Sequence, residues 1–272
     1  MPLKQKPKSA SSSKKRSSPS SSSSGSKAAS SGKITQLRRQ YQPVAQPVSS
    51  RRGRSDSAVV TDHIAFFPLL VLVFIIWFVY RRLFDYPVWF DESIGKAVFF
   101  GLPVFLYASI TRSRAMVDTV DVKYLQSGLW MGLAMGGIIG FAGTLASLFR
   151  DGVVVQAASL FASDAFWFEF FLAILTGFWE SLFFFSWIMV VIMEKFKNWP
   201  VLNQALLAAF IFLAFHIPNT LLRFSLPAVG GQLVLLFFFA LGQALIFSRV
   251  RNVYALTLTH ALWGMVLLIH SR

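Results

Sequence analysis

The sequence predicts an all-α, polytopic membrane helix bundle of about seven transmembrane helices, preceded by a disordered N-terminal tail. Three observations predict it. Apolar residues make up 55% of the 272 and charged residues only 14%. That is too little charge to cover a soluble globule and too much apolar surface for one hydrophobic core. From Ile64 onward, long apolar runs alternate with short polar breaks. No ten-residue alternation typical of a membrane strand appears, so backbone groups in lipid must pair within helices.

The tail comes first. Residues 1–62 hold 18 serines and 13 of the 26 Lys and Arg, against two acids. Such a segment buries too little apolar surface to offset its ordering entropy. It lacks the apolar core of a signal peptide. A polybasic stretch of this kind is expected to attract anionic lipid headgroups, at about 1 kcal/mol per cation near the surface, or only to fix topology. The remaining 210 residues carry little net charge and no basic groove, so nucleic acid is not expected as a partner. Phe occurs 29 times, which suits side chains facing lipid.

A membrane-crossing helix needs roughly 17 to 25 apolar residues. Seven segments are at least that long: 64–80, 94–110, 125–149, 166–193, 201–222, 231–248 and 253–269. The stretch Val153–Ala162 is too short and is expected at the interface. Loop charges do not set orientation. With the tail inside, Arg112, Arg114, Lys123, Lys195, Lys197, Arg249 and Arg251 lie inside, and Arg81, Arg82, Lys96, Arg150, Arg223 and Arg272 outside. The tail decides, predicting an integral membrane protein with a cytoplasmic N-terminus, plasma membrane being the commonest site. Gly132, Gly136, Gly137, Gly140 and Gly143 would let the third helix pack closely on a neighbour.

The chain has no cysteine, which excludes disulfides, thiolate metal sites and thiol nucleophiles. Ionisable groups deep in a membrane helix cost about 2.5–3.5 kcal/mol on insertion scales, so function is their default reading. Glu180 lies in mid-span, and His216 and His260 fall inside apolar runs at similar depth. Glu169, eleven residues before Glu180 on the same face, is a candidate supporting acid or an interfacial one. Asn219, one turn after His216, is a candidate to orient that ring or to cap the helix end near Pro218. Gln243 is expected as hydrogen-bonding glue between helices, and Trp187, Trp199 and Trp263 as packing or interface anchors.

The segments Glu180-Ser-Leu-Phe-Phe-Phe-Ser186, Phe212-Leu-Ala-Phe-His216-Ile-Pro-Asn219 and His260-Ala-Leu-Trp-Gly264 resemble the EExxxR, FxxxH and HxxxN motifs of the CAAX-protease and bacteriocin-processing family. The resemblance spans roughly residues 125–269, a CAAX-protease-like membrane core that follows two N-terminal transmembrane helices in 63–124. It implies an intramembrane endopeptidase acting on a membrane-embedded or lipidated peptide or protein, with Glu180 matching the catalytic Glu and His216 and His260 the motif histidines. Three positions depart from the pattern: Ser181 for the second Glu, Phe185 for Arg, and Gly264 for Asn. Losing both members of a buried Glu–Arg pair can be nearly neutral. Losing an oxyanion donor typically costs about 10²–10³ in rate. An inactive membrane scaffold or immunity-type binding protein of the same fold is therefore the alternative, and a proton-coupled transporter the third reading.

Hydrolysis needs a base for water and a donor to the oxyanion. A carboxylate in a low-dielectric pocket suits the first role. Glu180, oriented with His216, is expected to deprotonate water while His260 donates to the tetrahedral intermediate. A zinc version, with Glu180, His216 and His260 as ligands, and a metal-free version are both open. Other intramembrane protease classes fit less well. No HExxH helix, mid-membrane Asp pair or membrane-placed Gly-x-Ser segment is present.

Overall fold

The computed structural model describes residues 63–152 and 164–270. The serine-rich tail and the Val153–Ala162 stretch lie outside the described residues. Among the described residues every regular element is helical.

Each of the seven expected segments falls on one helix. α1 spans Phe66–Leu83, and α2 is the continuous helical run Val88–Thr111. α3 spans Leu125–Asp151. α4 begins as Asp164–Ser181 and continues through a widened, π-helical stretch, Leu182–Met189, into Val190–Lys195. α5 covers Val201–Arg223, α6 Leu226–Val250 and α7 Val253–His270. Among the described residues six helices are long and apolar enough to cross a membrane, and the apolar stretch Val253–Val266 is a shorter seventh. Local chemistry places the ends. α5 follows Pro200 and α6 carries a proline in its first turn, where the missing N–H is no loss. α3 stops at Gly152, whose φ of 70° is the left-handed cap a glycine adopts at least cost.

α2 starts six residues earlier than the apolar run indicated, and this changes the chemistry. Glu92 and Lys96, one turn apart, form an ion pair inside the helix. Lys96, expected at the outer side of the membrane, is instead 4% exposed within the bundle. Mutual neutralisation is what allows two charges to sit in an apolar helix. Two π-helical stretches, Asp91–Gly95 and Ala97–Gly101, flank Lys96, just before Pro103 removes a backbone donor.

The helices alternate direction, so the bundle has two ends. One end holds the α1–α2 turn at residues 84–87; the other holds the 112–124 connector. Helices α3 and α7 run parallel in close contact. A Cβ at Gly128, Gly132 or Gly136 would lie within 2.7 Å of Asn252, 2.7 Å of Leu258 and 2.1 Å of Leu262, respectively. The close-packing stripe therefore repeats every fourth residue. Gly137 meets nothing within 4 Å and Gly140 only Val266 at 3.9 Å, so they do not belong to it.

Phenylalanine does not simply face lipid. Phe183, Phe184 and Phe185, with Trp187, are at most 1% exposed. Rings of Phe100, Phe183, Phe184, Phe212 and Phe215 pack with centroids 4.7–6.1 Å apart. Below this layer the 112–124 connector turns back into the bundle. Thr119 Oγ lies 2.6 Å from Ser186 Oγ, and Met116 and Thr119 are buried. Connector and aromatic layer together form a floor across the middle of the bundle.

Candidate active site

Glu180 sits directly above that floor, where α4 changes from α to π geometry. Its side chain is 4% exposed. Its Oε2 lies 3.3 Å from His216 Nε2 on α5 and 3.4 Å from His260 Nε2 on α7. The structure thus brings together the three groups singled out from the sequence, although 80 residues separate the first from the last.

Helix contacts explain the convergence. Gly177, one turn before Glu180, allows α7 to approach α4. A Cβ there would lie 2.7 Å from Thr257 O and 3.3 Å from His260 Cβ. Phe212, one turn before His216, stacks on that imidazole at 4.0 Å. Phe239 of α6 meets the His260 ring edge-on at 4.9 Å. The two histidine side chains keep 16% and 12% exposure, against 4% for the carboxylate.

Hydrogen bonding assigns the tautomers. His216 Nδ1 lies 2.8 Å from the Phe212 carbonyl oxygen. A carbonyl only accepts, so Nδ1 carries a hydrogen. His216 Nε2 then faces Glu180 Oε2 at 3.3 Å, and that oxygen makes no hydrogen bond among the described residues. His260 Nδ1 is buried without a partner, which places the hydrogen of that ring on Nε2, facing Glu180.

Lys96 was not anticipated here. Its Nζ donates to Glu180 Oε1 at 2.5 Å and also to Glu92 Oε2. Thr176 Oγ1, one turn before Glu180, donates to that same Glu92 oxygen at 2.6 Å. Helices α2 and α4 therefore lie parallel and in register, with Glu92 beside Thr176 and Lys96 beside Glu180. Lys96 thus bridges two buried carboxylates, and two imidazoles stand beside one of them.

The secondary candidates lie elsewhere or act otherwise. Glu169 is eleven residues before Glu180, about 16 Å along the helix axis, and half-buried. Asn219 leaves its Oδ1 buried and unpartnered. The Phe212 carbonyl, not Asn219, orients His216, and α5 runs on to Arg223, so Asn219 does not cap it. Gln243 is buried with Oε1 unpartnered, so that oxygen is not the expected glue between helices. Trp187 is fully buried, Trp263 stacks on Phe239 at 5.0 Å, and Trp199 is 45% exposed beside Phe196. At the departing motif positions, Ser181 and Phe185 are buried in the core, whereas a Cβ on Gly264 would meet nothing within 4 Å.

The zinc reading meets an obstacle. Among the described residues no group of three or more His, Asp or Glu side chains is arranged to hold a metal ion. The Lys96 ammonium already occupies Glu180 Oε1, and a second cation beside it would be repelled. No step is routed through a metal.

Helices of this length and composition, closed around a buried acid, define an integral membrane protein with an intramembrane polar site. Residues 162–266 match the family model described as Type II CAAX prenyl endopeptidase Rce1-like. This stretch contains Glu180, His216 and His260, and it is what the chain has in common with CAAX-type prenyl endopeptidases. No curated protein and no solved structure matches the chain.

Proposed function

We propose that this protein is an intramembrane endopeptidase that hydrolyses a peptide bond in a membrane-embedded or lipidated peptide or protein. One observation carries the reading: a buried carboxylate oxygen faces two imidazole Nε2 atoms at 3.3 and 3.4 Å, within a segment similar to CAAX prenyl endopeptidases.

The chemistry follows from the atoms present. Water admitted beside Glu180 Oε2 and the histidines gives a proton to that oxygen while its own oxygen bonds to the scissile carbonyl carbon. The carbonyl π pair moves to oxygen, which accepts a hydrogen bond from His260 Nε2–H. His216, held by the Phe212 carbonyl, steadies the carboxylate and the water. As the C–N bond breaks, the proton held by Glu180 passes to the leaving nitrogen. Low local dielectric strengthens each of these interactions. The aromatic floor closes the site toward the 112–124 end, so the substrate approaches from the 84–87 end, where Thr176 and Gly264 lie.

The direct test is cleavage of a farnesylated or geranylgeranylated peptide by the purified protein in proteoliposomes. Glu180→Gln, which keeps shape and loses the base, is expected to lower kcat by about 10²–10⁴. Equal cleavage by wild type and Glu180→Gln would remove Glu180 from the mechanism, and no cleavage by the wild type would favour the inactive-scaffold reading.

A further inference from the structure

We infer that Lys96 is a positioning residue for the hydrolytic carboxylate, and that Glu92 and Thr176 hold it in place for that purpose. The inference rests on the peptidase reading above and adds a fourth helix, α2, to the machinery.

Three observations carry it. Lys96 Nζ binds one specific oxygen of Glu180, Oε1, at 2.5 Å, and leaves Oε2 free to face His216 and His260. A carboxylate with neither oxygen anchored rotates about its last side-chain torsion, a broad and soft one. With Oε1 tied to an ammonium, Oε2 has one direction. Lys96 is also fixed behind: Glu92 shares its Nζ, and Thr176 in turn donates to Glu92. Finally, Lys96 is the single residue between the two π-helical stretches of α2. That placement turns a long cationic side chain into the bundle, where it is 4% exposed. A cation buried only for stability needs one counter-ion, yet this one spans two carboxylates, one of them facing both histidines.

Lys96→Met keeps the length of the side chain and removes the ammonium. Wild type, Lys96→Met, Lys96→Arg and Glu92→Gln are compared for kcat and KM on the prenylated peptide in proteoliposomes. Lys96→Met is expected to lower kcat on the order of 10²-fold, the usual effect of misplacing a reacting group by about 1 Å, with KM within roughly threefold. Lys96→Arg is expected to recover most of that loss, and Glu92→Gln to lose less than Lys96→Met. Removing one member of a buried pair can unfold a protein. If Lys96→Met does not elute as a folded species, the paired variant Lys96→Met with Glu92→Gln takes its place, with the same expected fall in kcat.

An infrared difference spectrum gives a readout that does not need activity. Wild type minus Glu180→Gln isolates the Glu180 carboxylate bands, and loss of the ammonium is expected to shift them. A folded Lys96→Met protein, or the paired variant, with wild-type kcat overturns the inference while leaving the peptidase reading intact. An unshifted Glu180 band overturns it as well. If wild type cleaves none of the peptides, the peptidase reading is what fails, and the band position still decides whether Lys96 anchors Glu180.

Discussion

Gly177 sets the distance between Glu180 and one of its histidines, and Gly177→Ala measures how tightly. The added methyl would stand 2.7 Å from Thr257 O, where ordinary contact begins at 3.4 Å. Backbone oxygen cannot swing aside, so α7 must retreat from α4 by about 0.7 Å, the difference between those distances. His260 rides on α7 and moves with it, so its 3.4 Å approach to Glu180 Oε2 lengthens by a similar amount. His216 belongs to α5 and stays. A displacement near 1 Å at a reacting centre costs about 10²-fold, so a fall of about 10- to 100-fold in kcat is expected.

Stability separates this effect from simple damage. Alanine in place of a helical glycine gains about 0.5–1 kcal/mol, and overpacking costs about 1–3 kcal/mol. The net change is small or moderately unfavourable, far short of what unfolds a bundle. Thermal unfolding in detergent, followed by intrinsic fluorescence, is expected to move by a few degrees while kcat falls by one to two orders of magnitude. Gly242→Ala is the control, because a Cβ there meets nothing within 4 Å, and it should keep full activity. A Gly177→Ala enzyme with wild-type kcat would show that close approach of α7 does not set the catalytic distance, and would refute the placement of His260 in the chemistry.

Two further outcomes follow from the open space at Gly264 and the closed floor below Glu180. Gly264→Asn adds an amide one turn after His260, where nothing lies within 4 Å of a new Cβ. It is expected to raise kcat, up to about 10²-fold if its N–H reaches the oxyanion; steady-state cleavage rates check this, and no gain would show that the space is not part of the site. Because the chain lacks cysteine, single-cysteine variants give clean accessibility. Gly264→Cys is expected to react with a membrane-impermeant maleimide and to be protected by substrate. Ser186→Cys, in the floor at 1% exposure, is expected to stay unlabelled in folded protein, and labelling of it would mean the site also opens through the floor.

Much of this was legible in the sequence. Apolar run length located all seven helices, because crossing hydrocarbon demands both length and internal pairing. Rarity located Glu180, His216 and His260, because an unpaired charge in lipid is too costly to keep without a use. The same reasoning hid Lys96. A cation two residues past the first apolar position of 94–110 looks interfacial, yet its turn-mate Glu92 carried the signal, an acid and a base four residues apart on one helix face. Gly177 was hidden differently. It stands among bulky neighbours, Ile174, Leu175, Phe178 and Trp179, and one small residue a turn from an intramembrane acid marks where another backbone comes close. The glycine-rich α3 drew notice instead, and there only the fourth-residue spacing separated the packed glycines from the rest.

The departures from the family motif become coherent once Lys96 is on the page. An Arg at position 185 would have to be accommodated among Phe212 and Phe247, whose rings lie 6.5 and 6.2 Å from the Phe185 ring, and an acid at position 181 would lie in a fully buried place. Neither charge would have a partner without the other, so losing both together costs less than losing one, and it leaves the buried Ser181 hydroxyl beside Phe185. A cation nonetheless holds one oxygen of Glu180. In this chain it comes from α2, across the helix interface, and brings its own counter-ion in Glu92. Any change that separates α2 from α4, even far from the histidines, is therefore expected to act on the carboxylate first.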